Sequence, residues 1–405
     1  MKVLHINTSL SGGAGIAAWR HCEAMRLAGV ESKILTLDYW EKEGCVSYTI
    51  TQKQKRNNKK KLFVLHKLTR LVVKRVAWHW ATFDYDLSKI KEITEADVIY
   101  IHWVNDFLSY KAIDYLLKTK KRVIWYMHDM WPITGGCHYS FECKGYEGLC
   151  KRCPQMKAFR FLASIQLKRK IAEWSGHDNF YLSAPSQWLC DCIRRSAVFH
   201  GHQVYCCPNV IDTTVFKPQN KNRVRQKFGL PINKKLILFS AMGVKNPYKG
   251  TEFLIDALCR IKDKNYEFVV LGKATKDDFP MSIREKIHLV GFVSGQEQMA
   301  LLYSAADLLL ITSIAENFPN VVIEAMACGV PVVGFATGGI TDQIRHKWNG
   351  YIVQPCDVIG LVEGINWIVS NSNYQQLSIN SRKYVMENCS YNVVLKNHSE
   401  LLKGL

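Results

Sequence analysis

Short apolar runs rich in β-branched residues alternate along the chain with longer segments of helical spacing. The first series of predicted strands is KVLHIN, ESKILTL, ADVIYIHW, RVIWYMHD, FYLSAPS and QVYCCPN. The second series is KLILFSA, EFVVLG, IHLVGF, DLLLIT, PVVGF and GYIV, separated by helical patterns such as TEFLIDALCRIK. This alternation predicts βαβ units and parallel sheets. Because it occurs twice, we expect an α/β protein with two Rossmann-like, doubly wound domains.

A polar and charged stretch with two prolines separates the two series of strands. We therefore predict an N-terminal domain at 1–212, a linker with one short helix at 213–233 and a C-terminal domain at 234–384. Residues 385–405 are predicted to form a C-terminal helix that returns to the N-terminal domain. Ligands of doubly wound sheets bind at the carboxyl ends of the strands, so the loops that follow strands are where functional residues are expected.

Composition narrows the class of protein. The 405 residues are 48% hydrophobic and 22% charged, which excludes disordered and fibrous chains. The net charge of +19 indicates an acidic partner: nucleic acid, an anionic membrane surface or a phosphorylated ligand. The sequence shows no long apolar span and no secretory leader, and most cysteines lie singly in apolar segments. We expect a cytoplasmic protein in a reducing compartment.

The segment after the predicted strand DLLLIT combines two carboxylates with a helix start. Glu316 falls in the loop, Pro319 suits the first turn of the helix, and Glu324 lies inside the helix. The backbone N–H groups near Asn320 and Val321 are predicted to bind a diphosphate. Carboxylates accept paired hydrogen bonds from vicinal sugar hydroxyls, so the segment indicates a nucleotide-sugar site.

The run ENFPNVVIEAMACGVPVV, followed by TGGITDQI and NGYIV, resembles the signature of glycosyltransferase family 4, a family of retaining enzymes. The resemblance implies the GT-B fold, in which two Rossmann-like domains face a central cleft. It also implies that Glu324 holds the ribose hydroxyls and that Glu316 contacts the donor sugar. A sugar would then move from a nucleoside diphosphate to an acceptor hydroxyl with retention. No cofactor is required for that catalysis.

Two loops in the first half resemble further elements of this family. In SLSGGAGIAAW, the resemblance implies that Gly13 and Gly15 face the donor diphosphate and that Gly12 faces the acceptor. In VIWYMHDMWPITGG, it implies that His128 is a catalytic residue beside the donor sugar and that Asp129 helps to place the acceptor side.

The loop FSAMGVKNPYKG resembles the phosphate-binding loop of the family only in part. Lys249 and Gly250 match, which implies that Lys249 neutralises the leaving diphosphate. The arginine that the family carries a few residues earlier is absent, because SAM occupies 240–242. We assign its charge to Lys245 as a hypothesis.

A cluster of thiols follows His128 along the chain. Its spacing is C-x5-C-x6-C-x2-C, formed by Cys137, Cys143, Cys150 and Cys153. Four thiolates with a C-x2-C half can close a structural zinc site. The first two intervals are irregular for a zinc knuckle, so free or oxidised thiols are the alternative.

Residues 53–75 contain ten lysines and arginines, and no acid occurs between Thr51 and Thr82. Leucines and valines recur at helical spacing, which predicts a basic amphipathic helix on an anionic membrane. The alternative is a helix packed on the first domain with a solvated basic side. We expect a peripheral protein on the inner face of the cytoplasmic membrane, with a saccharide or lipid-linked saccharide acceptor. That acceptor points to bacterial surface polysaccharide synthesis, such as lipopolysaccharide.

Two other functions fit parts of the sequence. A nucleic-acid-binding protein would use the basic stretch at 53–75, but no RNP, KH or zinc-finger pattern supports it, so we expect no nucleic acid partner. A nucleotide-sugar epimerase would use the same fold and would need no acceptor.

Overall fold

The computed structural model of the protein describes residues 1–48, 52–74, 76–81, 85–240 and 247–402. Lys245, one of the predicted phosphate-binding residues, lies outside these ranges. The chain divides into two compact units. The first unit comprises residues 1–209 and 397–405, and the second comprises residues 210–396.

The first unit is built on a seven-stranded parallel sheet. Its strands are β1 (Lys2–Ile6), β2 (Glu31–Thr36), β3 (Cys45–Ser47), β4 (Val98–Ile101), β5 (Arg122–Tyr126), β6 (Phe180–Ala184) and β7 (Val204–Cys206). Its helices are α1 (Gly12–Leu27), α2 (Gln52–Val72), α3 (Lys91–Glu95), α4 (Tyr110–Lys118), α5 (Leu162–Trp174) and α6 (Gln187–Arg195). The strand order is β3-β2-β1-β4-β5-β6-β7. All four residues of the central strand β4 are buried, as expected where a parallel sheet is covered on both faces.

The second unit is built on a six-stranded parallel sheet in the order β10-β9-β8-β11-β12-β13. Its strands are β8 (Lys235–Ser240), β9 (Tyr266–Leu271), β10 (Ile287–Gly291), β11 (Leu308–Ile311), β12 (Val332–Phe335) and β13 (Gly350–Val353). The remaining helices are α7 (Lys221–Lys227), α8 (Thr251–Arg260), α9 (Gln296–Ala305), α10 (Asn320–Ala327), α11 (Ile340–Gln343), α12 (Val358–Val369), α13 (Tyr374–Asn388) and α14 (Tyr391–Leu402).

The predicted fold class is confirmed, because both units are α/β with parallel sheets. Each strand predicted from the sequence is present, and the structure adds the three-residue edge strand β3. The predicted linker at 213–233 is wrong as a separate segment. Phe216, Val224 and Leu230 are buried in the core of the second unit, and the guanidinium of Arg225 lies 2.7 Å from a carboxylate oxygen of Asp307.

The C-terminal helix predicted at 385–405 lies at Tyr391–Leu402, and only its last part belongs to the first unit. Residues up to 396 belong to the second unit, and only 397–405 belong to the first. There the buried His398 places its Nδ1 3.0 Å from the hydroxyl of Tyr100. Arg122 donates to the carbonyl of Leu401 at 2.7 Å. Helix α14 therefore begins in one unit and ends in the other.

Helix α2 is the longest helix of the part of the chain that the structure describes. Neither α2 nor another described helix combines the length and the apolar character needed to cross a membrane.

Candidate active site

Two loops of the second unit meet at the carboxyl ends of the neighbouring strands β8 and β11. Lys249 lies in the loop after β8, and its Nζ donates to Oε2 of Glu316, in the loop after β11, at 2.6 Å. The same loops share two more hydrogen bonds, from Thr312 Oγ1 to the carbonyl of Lys249 at 3.0 Å and from the N–H of Ile314 to the carbonyl of Tyr248 at 2.8 Å. The structure thus brings together two of the three residues predicted to be catalytic.

Glu324 lies on α10 and is buried, with 6% of its surface exposed. Its Oε2 accepts a hydrogen bond from the hydroxyl of Tyr303, on α9, at 2.8 Å. The sequence did not identify Tyr303, because it sits within the apolar face of a helix and carries no motif. A buried carboxylate needs hydrogen-bond donors, and Tyr303 supplies one of them.

Helix α10 begins at Asn320, directly after Pro319, which adopts extended backbone with φ −64°. Val321 follows in the first turn. The carbonyl of Pro319 accepts from Nε2 of Gln343 at 3.2 Å, which anchors the start of the helix. The positive end of a helix dipole favours an anion here. The diphosphate contacts of Asn320 and Val321 stay predictions.

In the first unit, the glycine-rich loop connects β1 to α1. Gly12 begins the helix with φ +75°, and neither Gly12 nor Gly13 has a neighbour that a side chain would meet. Gly15 differs, because a Cβ there would lie 2.4 Å from the carbonyl oxygen of Ser9. Gly15 thus lets α1 pack against its own loop. The predicted contacts of all three glycines with donor or acceptor stay predictions.

His128 follows β5 and ends a row of three imidazoles. Its Nε2 lies 3.0 Å from Nδ1 of His102, and Nε2 of His102 lies 2.9 Å from Nδ1 of His5. Burial lowers the pKa of His128 to about 4, although the nearby Asp129 opposes the shift, and burial lowers the pKa of His5 to about 3. The row is therefore neutral at pH 7, and His128 acts there as a hydrogen-bonding group rather than a cation.

Asp129 is buried and makes contacts within its own part of the first unit. It lies 2.6 Å from Nδ1 of His138 and accepts from Nε1 of Trp103 at 3.1 Å and from the N–H of Trp131 at 2.8 Å. Burial raises the pKa of Asp129, but His138 and the Trp131 N–H outweigh this and lower it. These contacts order the loop after β5. The predicted role of Asp129 towards the acceptor stays a prediction.

Two groups of side chains in the first unit have metal-binding chemistry. His66, His79 and Asp106 bring three ligand atoms within 4.8 Å of one another, which no other group among the described residues does. The second group is the cysteine cluster, whose four free thiols line one cavity. It consists of Cys137, Cys143, Cys150 and Cys153.

Comparison with known proteins identifies a family model and curated relatives that each match less than half of the chain. Residues 220–384 match the family model described as glycosyl transferases group 1. An uncharacterized glycosyltransferase of Methanocaldococcus jannaschii is 31% identical over 193 residues, 46% of this chain and 49% of that protein. The N-acetyl-alpha-D-glucosaminyl L-malate synthase of Bacillus anthracis is 25% identical over 184 residues, 44% of this chain and 48% of that protein. The chain thus spans about half the length of the curated relatives it matches.

The similarity to solved structures extends over both units. The Anabaena protein HepE, solved in complex with UDP-glucose, is 18% identical, with a TM-score of 0.68 and coverage of 100% of both chains. At this identity the likeness shows the fold. Together with the two parallel sheets, it shows that the chain has the GT-B fold.

Proposed function

We propose that this chain, whose residues 220–384 belong to the group 1 glycosyl transferases, moves a sugar from a nucleoside diphosphate to a saccharide hydroxyl with retention of anomeric configuration. The observation that carries the proposal is the contact of Lys249 with Glu316 at 2.6 Å. It lies where two neighbouring parallel strands end, directly before the helix that carries Glu324.

In this proposal Lys249 neutralises the departing diphosphate. Its side chain is 41% exposed, so the ammonium is accessible to a ligand while Glu316 holds it in place. A fixed cation is catalytic when it faces charge that develops in the transition state, as on the leaving phosphate. Glu316 then accepts a hydrogen bond from a donor-sugar hydroxyl, and the start of α10 favours the phosphates.

Glu324 is assigned to the two ribose hydroxyls of the donor. An ionised carboxylate accepts several hydrogen bonds, and Tyr303 orients one of its oxygens. The neutral His128 is assigned to a sugar hydroxyl. In the reaction, the acceptor oxygen bonds to the anomeric carbon, the bond from that carbon to the phosphate oxygen breaks, and the acceptor proton passes to the departing phosphate. That HepE was solved with UDP-glucose supports a nucleotide-sugar donor.

Donor binding can be measured by thermal shift against UDP-, GDP-, ADP- and CMP-sugars. We expect one nucleotide to raise the midpoint of the wild type but not of Glu324→Ala. Glu363, an exposed glutamate on α12, provides the matched control, because Glu363→Ala should respond like the wild type. The absence of a wild-type shift at ~1 mM, the upper range of ordinary Michaelis constants, would contradict the proposal. Conversion of the donor without acceptor would instead indicate an epimerase.

We also propose that the acceptor is linked to a lipid and that the enzyme acts at an anionic membrane face in surface polysaccharide synthesis. Helix α2 supports this, because apolar side chains lie on its exposed side as well as on its buried side. Leu62, Leu65 and Val72 pack against the core of the first unit. On the other side, Val64, Leu68 and Leu71 are 55%, 54% and 66% exposed, interspersed with lysines and arginines. An exposed apolar stripe with basic flanks suits the lipid interface.

A second segment extends this exposed surface. The N–H of Lys157 donates to the carbonyl of Val72 at 2.7 Å, and its Nζ donates to the carbonyl of Arg70 at 3.1 Å. This places the start of the 157–161 segment against the end of α2. Phe159 and Phe161, in the same segment, are 60% and 55% exposed. The exposed apolar surface therefore includes Leu68, Leu71, Phe159 and Phe161, with their basic neighbours.

Vesicle sedimentation tests the membrane proposal. The wild type should bind vesicles that contain phosphatidylglycerol more tightly than pure phosphatidylcholine, and less tightly at high salt. Leu68→Glu combined with Leu71→Glu should abolish binding, whereas Met281→Glu should not, because that side chain is 77% exposed in the second unit. Equal binding by all three proteins would refute the membrane role. Binding to single-stranded RNA but not to vesicles would favour the nucleic-acid function.

A further inference from the structure

Four cysteines outside the candidate active site surround one space in the first unit. Cys137, Cys143, Cys150 and Cys153 line a cavity of about 60 Å³, together with Trp78, Gly135 and Tyr146. Three of the four are buried, and Cys143 is half-buried. We propose that this cavity binds one zinc ion through the four thiolates and that the ion has a structural role.

The backbone around the cavity supplies donors to the sulfurs. The N–H of Gly145 donates to Sγ of Cys143 at 3.3 Å. The backbone of Gly135 also hydrogen-bonds to the thiol of Cys150. The thiol of Cys153 is hydrogen-bonded by the backbone of Gln155 and Met156. Backbone N–H groups aimed at sulfur stabilise a thiolate, which is the form that binds metal.

A buried lysine lies close to the cluster, because it donates to Thr134, which lines the same cavity. Lys170, on α5, is 0% exposed, and its Nζ donates to the carbonyls of Trp131 and Thr134. No carboxylate forms a salt bridge with it among the residues that the structure describes. A negative centre at the four sulfurs would stabilise the ammonium form of this lysine.

A zinc tetrathiolate is a negative centre of this kind. Each coordinating thiol releases its proton to solvent, so four thiolates and Zn²⁺ form a centre with a net charge of about −2. Four protein sulfurs leave no open position, which excludes a catalytic metal here. The metal would then lie in the cavity, with the ammonium of Lys170 nearby.

The sulfurs do not already have coordination geometry. No three of them lie within 4.8 Å of one another, since the one described group that meets this limit is His66, His79 and Asp106. Zinc binding therefore requires the side chains to turn inward. The histidine group is the weaker candidate, because His66 is 53% exposed and Nδ1 of His79 already lies 2.6 Å from Nε2 of His138.

The site would fix the loop that follows β5. Cys137 is adjacent to His138, whose Nδ1 lies 2.6 Å from Asp129, the neighbour of His128. Glycines close this loop tightly, because a Cβ at Gly136 would lie 2.4 Å from the ring of Trp78. Metal loss should therefore loosen the surroundings of His128 without removing any group that touches substrate.

The test is the zinc content of the full chain, expressed with added zinc and purified without chelator. We expect about one zinc per chain by plasma mass spectrometry. Cys150→Ser and Cys153→Ser should reduce it at least about tenfold, whereas Cys259→Ser, an exposed thiol in the second unit, and His79→Ala should retain it. These measurements do not depend on transferase activity, so the zinc proposal can be wrong while the proposed function is right, and the reverse.

Two further measurements protect the test against variants that do not fold. Cobalt(II) bound to the wild type should show the strong visible absorption of a tetrahedral thiolate site. A mercurial reagent added to the folded wild type should release zinc as the thiols react. Absence of zinc, iron in its place, or zinc that is lost in His79→Ala but kept in Cys150→Ser would each overturn the proposal.

Discussion

Gly250 lies where the two loops of the candidate active site touch, and its replacement tests whether they must stay aligned. It follows Lys249, precedes α8 and has φ +58°. A Cβ on this residue would lie 2.0 Å from the carbonyl oxygen of Thr312, whereas real Cβ atoms essentially never approach within 3.0 Å. Gly250→Ala must therefore move the Lys249 loop and the Glu316 loop apart by about 1 Å.

The expected loss has two components. A non-glycine residue in the left-handed region costs ~1–2 kcal/mol, which lowers the free energy of unfolding. A displacement of ~1 Å between groups that must act together costs ~100-fold in rate. We therefore expect kcat/KM for sugar transfer to fall ~100-fold, equivalent to ~2.7 kcal/mol of transition-state stabilisation.

Gly229→Ala is the matched control, because Gly229 has φ +62° and no neighbour within 4 Å of an added Cβ. Both variants should lose stability in urea unfolding through the left-handed backbone, and Gly250→Ala should lose more because of its clash with Thr312. Only Gly250→Ala should lose activity with a donor that the thermal-shift panel identifies. Full activity of Gly250→Ala would refute the argument that the contact of Lys249 with Glu316 must be held by these two loops. Equal activity losses in both variants would show that general destabilisation is responsible.

Tyr303→Phe should weaken donor binding ~5-fold in titration calorimetry, because it removes the 2.8 Å hydrogen bond to Glu324. Asp307→Asn should lower the free energy of unfolding by ~3–5 kcal/mol, since Arg225 would stay buried without its partner. Asp256→Asn, which breaks only a solvent-accessible ion pair with Arg260, should have little effect. Stability in urea should fall as the pH drops from 6.5 towards 4, because burial lowers the pKa of His5 to about 3 and of His398 to about 4. The unfolded chain then binds protons that the folded chain does not, at up to ~1.4 kcal/mol per pH unit for each histidine; a flat profile would contradict this.

The sheets could be predicted because buried parallel strands are continuous apolar runs that a sequence shows directly. Strand β3 could not, since CVS is short and only half-buried at the edge of the sheet. The predicted linker failed for another reason. In the sequence, Arg225 lies in a charged segment of the kind that is usually exposed to solvent. Its partner Asp307 lies 82 residues further along the chain. Only the folded contact shows that this charge is buried and that 213–233 belongs to the second unit.

The residues of the candidate site also divide into those that the sequence could show and those that it could not. Glu316, Glu324 and Lys249 could be identified from the sequence, because they are charged side chains in loops or helix starts that follow predicted strands. Tyr303 was not, because a tyrosine on an apolar helix face usually belongs to the core. His5 and His102 also escaped notice, since a single histidine in a strand has no periodic signal. Their alignment with His128 arises from the pairing of β1 with β4 and of β4 with β5.

The row of histidines that ends at His128 cannot supply positive charge in the proposed reaction. His128 has its pKa lowered to about 4 by burial, so it is neutral when the diphosphate leaves. A neutral imidazole can orient a sugar hydroxyl but cannot offset the charge that develops on phosphate. Among the described residues assigned to the site, Lys249 is the cation. Since the loss of Lys249 removes a cation and the loss of His128 does not, we expect the first to affect kcat more than the second.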